Sequence, residues 1–186
     1  MSSIDEAVVK SKFLIDKNKN YPEKFLYVGR FAQAKGIDLL IEAYDIYRNE
    51  YGGQWSLNCI GNGPMKDVLL NHPHIVTEDF LPQQVLSDRA KTAGAFILPS
   101  RTEPWGVVVH EFAAAGLPMI LSENVGARLQ FLIDCLNGLT FKNNSARDLA
   151  EKMYTISSLS KTELLAMGQY SILLANKINP ELAAAS

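Results

Sequence analysis

Charge of one sign is what this sequence most plainly lacks. Eighteen Lys and Arg stand against 20 Asp and Glu, a net charge of −2. Nothing therefore favours nucleic acid or an anionic membrane as a bulk electrostatic partner. Cysteine is scarce too: Cys59 and Cys135 sit in apolar contexts without metal-type spacing and read as core thiols of a reducing compartment. No apolar run reaches the roughly 18 residues of a membrane-crossing helix, and no signal peptide is visible. Internal repeats and low-complexity tracts are absent as well. What is present is ordinary: 186 residues, 47% hydrophobic and 20% charged, enough for one domain with a sizeable core. These features describe a cytoplasmic α/β domain.

The richest stretch is Ala95–Leu121. Phe96-Ile97-Leu98 is long enough for a buried strand and too short for a helix. Pro99 ends it, Ser100–Pro104 is a polar loop, and Gly106–Gly116 reads as a helix stopped by Gly116 and Pro118. Leu117–Leu121 is a second apolar run, so the unit is a βαβ crossover. Ligands of open α/β sheets bind at the carboxyl ends of the strands, which places Ser100–Gly106 where chemistry is expected. Glu103 lies in that loop and Glu111 in the helix, with seven residues between them. The neighbours of Glu111 are almost all apolar, and a carboxylate among them needs hydrogen-bond partners. A pair of ligand hydroxyls would serve; so would an Arg or an opening to solvent. Glu103 is also explained by a favourable position before a helix N-terminus.

Earlier in the chain, Phe25–Gly29 reads as a strand and Gly36–Tyr51 as a helix. The loop Gly29–Gly36 between them carries Arg30 and Lys35, a fork and a point charge suited to phosphate, ahead of a helix N-terminus. By itself it would equally be a surface loop with two solvated cations. Trp55–Gly61 is the next strand, ending in Gly61-Asn62-Gly63-Pro64; a dinucleotide fingerprint would need a third glycine where Lys66 stands. A short strand within His74–Phe80 and a helix over Gln83–Thr92 follow, and His72 and His74 read as surface turn residues without a metal role. Asp148–Leu159 and Glu163–Lys177 read as amphipathic helices. Near the N-terminus, Val8–Ile15 has the makings of a short helix or docking segment, with a loop over Asn18–Pro22.

Glu103–Glu111, followed by Ala113-Ala114-Ala115-Gly116-Leu117-Pro118, resembles the E-x7-E motif of retaining GT-B glycosyltransferases of the GT4 family. Gly29–Gly36 is similar to that family's G-R-x4-K-G motif, Gly61–Pro64 to its G-x-G-P element, and Asn137-Gly138-Leu139 to its N-G-L segment. The resemblance runs from about Phe25 to about Glu151. It implies a Rossmann-like, doubly wound parallel sheet, the C-terminal half of a GT-B enzyme: a leader over 1–24, a nucleotide-sugar domain over 25–177 and a frayed tail over 178–186. It implies that Arg30, Lys35 and Glu103 are the catalytic groups. Donor contacts would come from Gly29, Arg30, Lys35, Gly61, Gly63, Phe80, Leu81, Glu103, Trp105, Gly106, Val107 and Glu111. Glu111 would take the ribose diol, and Phe80-Leu81 would touch the base through main-chain groups. Asn124–Asp134 departs from the family's Gly-Gly-x-Pro-Glu-like turn, keeping only Gly126.

The resemblance further implies a nucleotide-diphosphate sugar of UDP type as substrate, and no metal or other cofactor. The partner would be an N-terminal acceptor-binding half, the acceptor a saccharide or a lipid-linked molecule, and this half alone would be inactive in transfer. A lipid-linked acceptor would bring the whole enzyme to the inner face of the membrane. Alternatives are a nucleotide-sugar binding or assembly module working with a partner chain, a nucleotide-sugar 2-epimerase half and, against its incomplete glycine pattern, an NAD-type oxidoreductase.

Overall fold

Phe25-Leu26-Tyr27-Val28, Leu57–Ile60, Phe96-Ile97-Leu98 and Met119–Leu121 are apolar or nearly so without alternation, as strands covered on both faces must be. The computed structural model describes residues 12–177 and pairs these segments in parallel. Its elements in chain order are α1 (Lys12–Lys19), β1 (Lys24–Val28), a 3₁₀ turn (Gln33–Lys35), α2 (Ile37–Asn49), β2 (Ser56–Ile60), α3 (Lys66–Leu70) and β3 (Ile75–Glu78). There follow α4 (Gln83–Lys91), β4 (Ala95–Leu98), α5 (Val107–Ala114), β5 (Met119–Ser122), α6 (Arg128–Phe131), β6 (Gly138–Phe141), α7 (Ala146–Ser157) and α8 (Lys161–Lys177).

The sheet runs β3-β2-β1-β4-β5-β6, all parallel. The chain moves outward from β1 to β3, then returns past β1 and continues to β6. With right-handed crossovers, α2 and α3 fall on one face and α4 and α5 on the other. Accordingly α2 packs against α7, and α5 against α8, while α1 lies against α8 and α4. The core fills both layers: Phe96 stacks on Phe112 at 4.5 Å between ring centres, and Phe25, Tyr44, Tyr47 and Trp55 cluster beneath α2. The Tyr47 hydroxyl accepts from the Trp55 amide (3.0 Å) and that of Tyr44 donates to the Trp55 carbonyl (3.1 Å), so these phenols are buried with their polar ends satisfied.

Two expectations need correcting. Cys135 is exposed, not a core thiol, because the turn from Leu132 into β6 takes a left-handed step at that residue (φ 64°). Burial holds for Cys59, whose thiol is pushed well above its usual range by desolvation. Asn18 and Lys19, expected in a loop, close α1 instead. Val8, Val9 and the tail over 178–186 lie outside the described residues.

Candidate functional site

The strand order reverses between β1 and β4, and the loops leaving their carboxyl ends face each other across that crevice. The β1 loop is shaped by close approach. Gly36 has φ 72°, and a Cβ there would stand 2.1 Å from the Pro99 carbonyl oxygen of the opposite loop. Only glycine lets the two loops touch. The buried Tyr27 hydroxyl donates to the Arg30 carbonyl (2.9 Å), fixing the backbone under that guanidinium, and burial raises the Tyr27 pKa. Arg30 itself is exposed and has no side-chain partner among the described residues.

Arg101 braces the β4 loop. Its guanidinium forks onto Asp38 at the start of α2 (2.6 and 2.9 Å), donates to the Gln33 carbonyl, and reaches Asn144 Oδ1 (2.6 Å). Its main-chain N–H donates to the Ala34 carbonyl at 3.0 Å. The fork holds the Asp38 carboxyl below its usual pKa and raises that of Arg101. Glu103 is pinned by the backbone from the other side: its N–H points at the Asn124 carbonyl (3.4 Å) and its carbonyl accepts from Gly126 (2.8 Å), a one-residue parallel bridge. Asn124 Nδ2 also donates to the Arg101 carbonyl (2.9 Å). Held in this way, Glu103 Oε2 forms a direct ion pair with Lys35 Nζ across the crevice.

α5 begins at the mouth of the crevice with Gly106 as its N-cap, and no side chain caps it. The first-turn N–H groups of a helix have no intrahelical acceptors and carry its positive end. One turn in, Glu111 is half-buried, not enclosed as its neighbours suggested. α5 buries Val109, Phe112 and Ala113 and turns Val107, Val108 and Glu111 toward the cleft. Glu111 Oε1 accepts from Gln83 Nε2 at 2.7 Å.

These parts enclose a cleft of about 420 Å³, within the range of small-molecule sites. Of the residues named from sequence, Gly29, Arg30, Lys35, Phe80, Leu81, Glu103, Val107 and Glu111 line it. Gly106 stands behind, buried at the helix start. Gly61 and Gly63 do not line it: a Cβ at Gly61 would lie 1.9 Å from the Gly29 carbonyl oxygen, and one at Gly63 2.4 Å from that of Phe31, so both let loops pack. Trp105 is 74% exposed and outside the lining. Tyr27, Gln83 and Leu86 also line the cleft, and Arg101, Asp38 and Asn124 brace it; sequence reasoning named none of them as site residues. Only the bracing had a local cue, a polar loop following a strand. Among the described residues no three of His, Cys, Asp and Glu are grouped to hold a metal. His72, half-buried, meets Asp45 at 3.0 Å.

Residues 10–171 match the model of the family described as glycosyl transferases group 1. Among curated relatives, the glycogen synthase of Mycobacterium tuberculosis is 32% identical over 145 residues, 74% of this chain and 34% of that protein. The putative teichuronic acid biosynthesis glycosyltransferase TuaC of Bacillus subtilis is 33% identical over 126 residues, 68% of this chain and 31% of that one. The chain thus spans about a third of the length of these relatives. Among solved structures, the C-terminal domain of the group 1 glycosyl transferase LpcC from Francisella tularensis superposes with TM-score 0.69 at 19% identity, over 90% of this chain and 91% of that one. The pneumococcal O-GlcNAc transferase GtfA, solved with UDP and GlcNAc, gives 0.72 at 22% identity over 84% of this chain and 32% of that one. At such identities the superpositions establish the fold alone. A six-stranded parallel sheet of this order and a family match over most of its length make this chain a member of the group 1 glycosyl transferases, built on the Rossmann-like half of the GT-B fold.

Proposed function

We propose that this chain is the donor-binding domain of a retaining, GT4-type glycosyltransferase. It would serve in moving a hexosyl group from a nucleotide-diphosphate sugar of UDP type to a saccharide or lipid-linked acceptor. The observation that carries the reading is one cleft that gathers a guanidinium without a partner among the described residues, a lysine paired with Glu103, a helix start without a side-chain cap and Glu111. That set matches a ligand with a diphosphate at its centre and hydroxyls on both flanks.

The diphosphate would lie between Arg30, Lys35 and the Val107–Val108 amides. As the sugar departs, negative charge grows on the leaving phosphate, and positive groups already in place stabilise it more than they stabilise the ground state. Two side-chain cations and a helix dipole supply this without a metal. Glu111 would accept from the ribose diol. Lys35 would exchange its carboxylate for a phosphate oxygen when donor enters, freeing Glu103 for hydroxyls of the transferred sugar. The UDP and GlcNAc of the pneumococcal enzyme support a UDP-sugar.

Acceptor contacts would come from an N-terminal half. Phe80 and Trp105, 77% and 74% exposed at the cleft mouth, together with Val107 and Leu129, give that half an apolar surface to meet. Without it, this domain binds donor and transfers nothing. No described helix is long and apolar enough to cross a membrane; a lipid-linked acceptor would place the whole enzyme at the cytoplasmic face. Titrating the ¹⁵N-labelled chain with UDP tests the reading. The largest amide shifts are expected at Gly29, Arg30, Lys35, Phe80, Leu81, Gly106 and Val107. Shifts centred on the α2–α7 face instead would overturn it.

A further inference from the structure

Gln83 is a residue that no family motif singles out, and it occupies a specific place. It is the first residue of α4, immediately after Phe80-Leu81-Pro82, and its amide reaches across the cleft to α5. Its Nε2 donates to Glu111 Oε1 at 2.7 Å, the one hydrogen bond that Glu111's side chain makes among the described residues. Glu111 is otherwise a long, half-buried side chain on a helix whose neighbours Val107 and Val108 are apolar and offer it nothing polar. We infer that Gln83 is a positioning residue for ribose recognition, holding the Glu111 carboxylate in the orientation that accepts both hydroxyls of a nucleoside diphosphate. The inference rests on the donor-site reading above.

A carboxylate has about four lone-pair positions, two on each oxygen. The Gln83 bond takes one on Oε1 and leaves Oε2 whole, with one further position on Oε1. A ribose diol presents two hydroxyls and can donate to these. The bond also locks side-chain torsions of Glu111 before ligand arrives, so their ordering is not charged against binding. A site built to satisfy two hydroxyls rejects analogues lacking one, because an acceptor is then left without its donor. Without the amide, the carboxylate is free to swing toward water, and much of that discrimination goes with it. The position of Gln83 adds a second consequence. Because it follows the segment expected to touch the base, ordering of Phe80-Leu81 by the base also steadies Gln83 and, through it, Glu111.

The test uses the 186-residue chain and two variants at Gln83. Gln83→Met keeps the length of the side chain and removes the donor. Gln83→Glu puts a second carboxylate opposite Glu111 Oε1, and the like charges push the two side chains apart. Binding of UDP, GDP and ADP is measured by calorimetry, followed by the 2′-deoxy and 3′-deoxy forms of the nucleotide that binds. The wild-type chain should prefer the ribonucleotide over either deoxy form by about 10-fold or more, the scale of one hydrogen bond to a charged group, and Gln83→Met should reduce that preference to within about 3-fold. Gln83→Glu should lose the preference at about pH 7.5 as Gln83→Met does while keeping the wild-type melting temperature, a loss of ribose selectivity without loss of fold that a purely structural role of Gln83 would not create. A wild-type chain that binds and discriminates, with Gln83→Met discriminating equally well and Glu111→Ala not at all, would leave Glu111 reading the ribose alone and overturn the inference while the donor site stands. A folded wild-type chain that binds none of the three nucleotides would overturn the donor site and, with it, the inference.

Discussion

Lys35 and Glu103 neutralise one another across the crevice, while Arg30, on the same loop as Lys35, has no partner among the described residues. The difference sets distinct expectations for the three. Glu103→Gln frees Lys35 for phosphate, so UDP should bind as tightly as to wild type or up to about 5-fold tighter, the scale of a partly exposed ion pair. Calorimetry reads this directly, and a clear loss of UDP affinity would show that Glu103 serves the diphosphate side. Lys17 gives a residue-scale prediction away from the cleft. Its ammonium is buried in α1 without a hydrogen-bond partner among the described residues, and desolvation brings its pKa from 10.5 down to about 7. The unfolded chain therefore binds more protons between pH 7 and 10.5, and this group's contribution to stability rises with pH across that window, by at most about 1.4 kcal/mol per pH unit. Urea denaturation at several pH values should show the rise in wild type and lack it in Lys17→Met, which should also be the more stable protein at pH 6. At this scale the cleft was legible where spacing carries meaning, as in Glu103 with Glu111 and Arg30 with Lys35. Gln83 was not legible, since its partnership with Glu111 spans 28 positions and belongs to no periodic pattern.

Among the elements, strands read easily because both faces of a parallel sheet are covered. The apolar runs at Phe25, Leu57 and Phe96 give β1, β2 and β4 within a residue or two. Helix starts were less clear. Asp148 was expected to open the penultimate helix, yet α7 starts at Ala146, where the Ser145 hydroxyl accepts from the Asp148 amide at 3.2 Å. The cap was there to be read in Ser145. The extension of α1 through Lys19 had no such cue, because its stability comes from packing on α8 and α4. The most demanding junction is Gly36, where the 3₁₀ turn meets α2. Gly36→Ala combines a left-handed backbone with a methyl group 2.1 Å from the Pro99 carbonyl oxygen. It should cost roughly 2 kcal/mol or more in chemical denaturation and weaken nucleotide binding as well, because relief of the clash moves the β1 loop, and Lys35 with it, away from the start of α5. An unchanged midpoint would show that the two loops are not in close contact.

For the whole molecule, the order β3-β2-β1-β4-β5-β6 determines that the β1 and β4 loops meet. A sequence gives each βαβ unit but not which strands become neighbours. That step came from the family resemblance, and the sheet order agrees with it. The same resemblance could not place Trp105 or Gly61, which lie outside the cleft lining, since motif membership does not say whether a residue touches ligand or lets two loops close. On the proposed function, this cleft would bind a nucleoside diphosphate through its cations and Glu111. Calorimetric titration of the chain with UDP, GDP and a UDP-sugar, beside Arg30→Ala and Glu111→Ala, tests it most directly. Saturable binding of one nucleotide class is expected, weakened by about 1–3 kcal/mol in each variant, with thermal stability nearly unchanged in Arg30→Ala. A folded wild-type chain that binds none of them, or variants that bind as well as wild type, would contradict it.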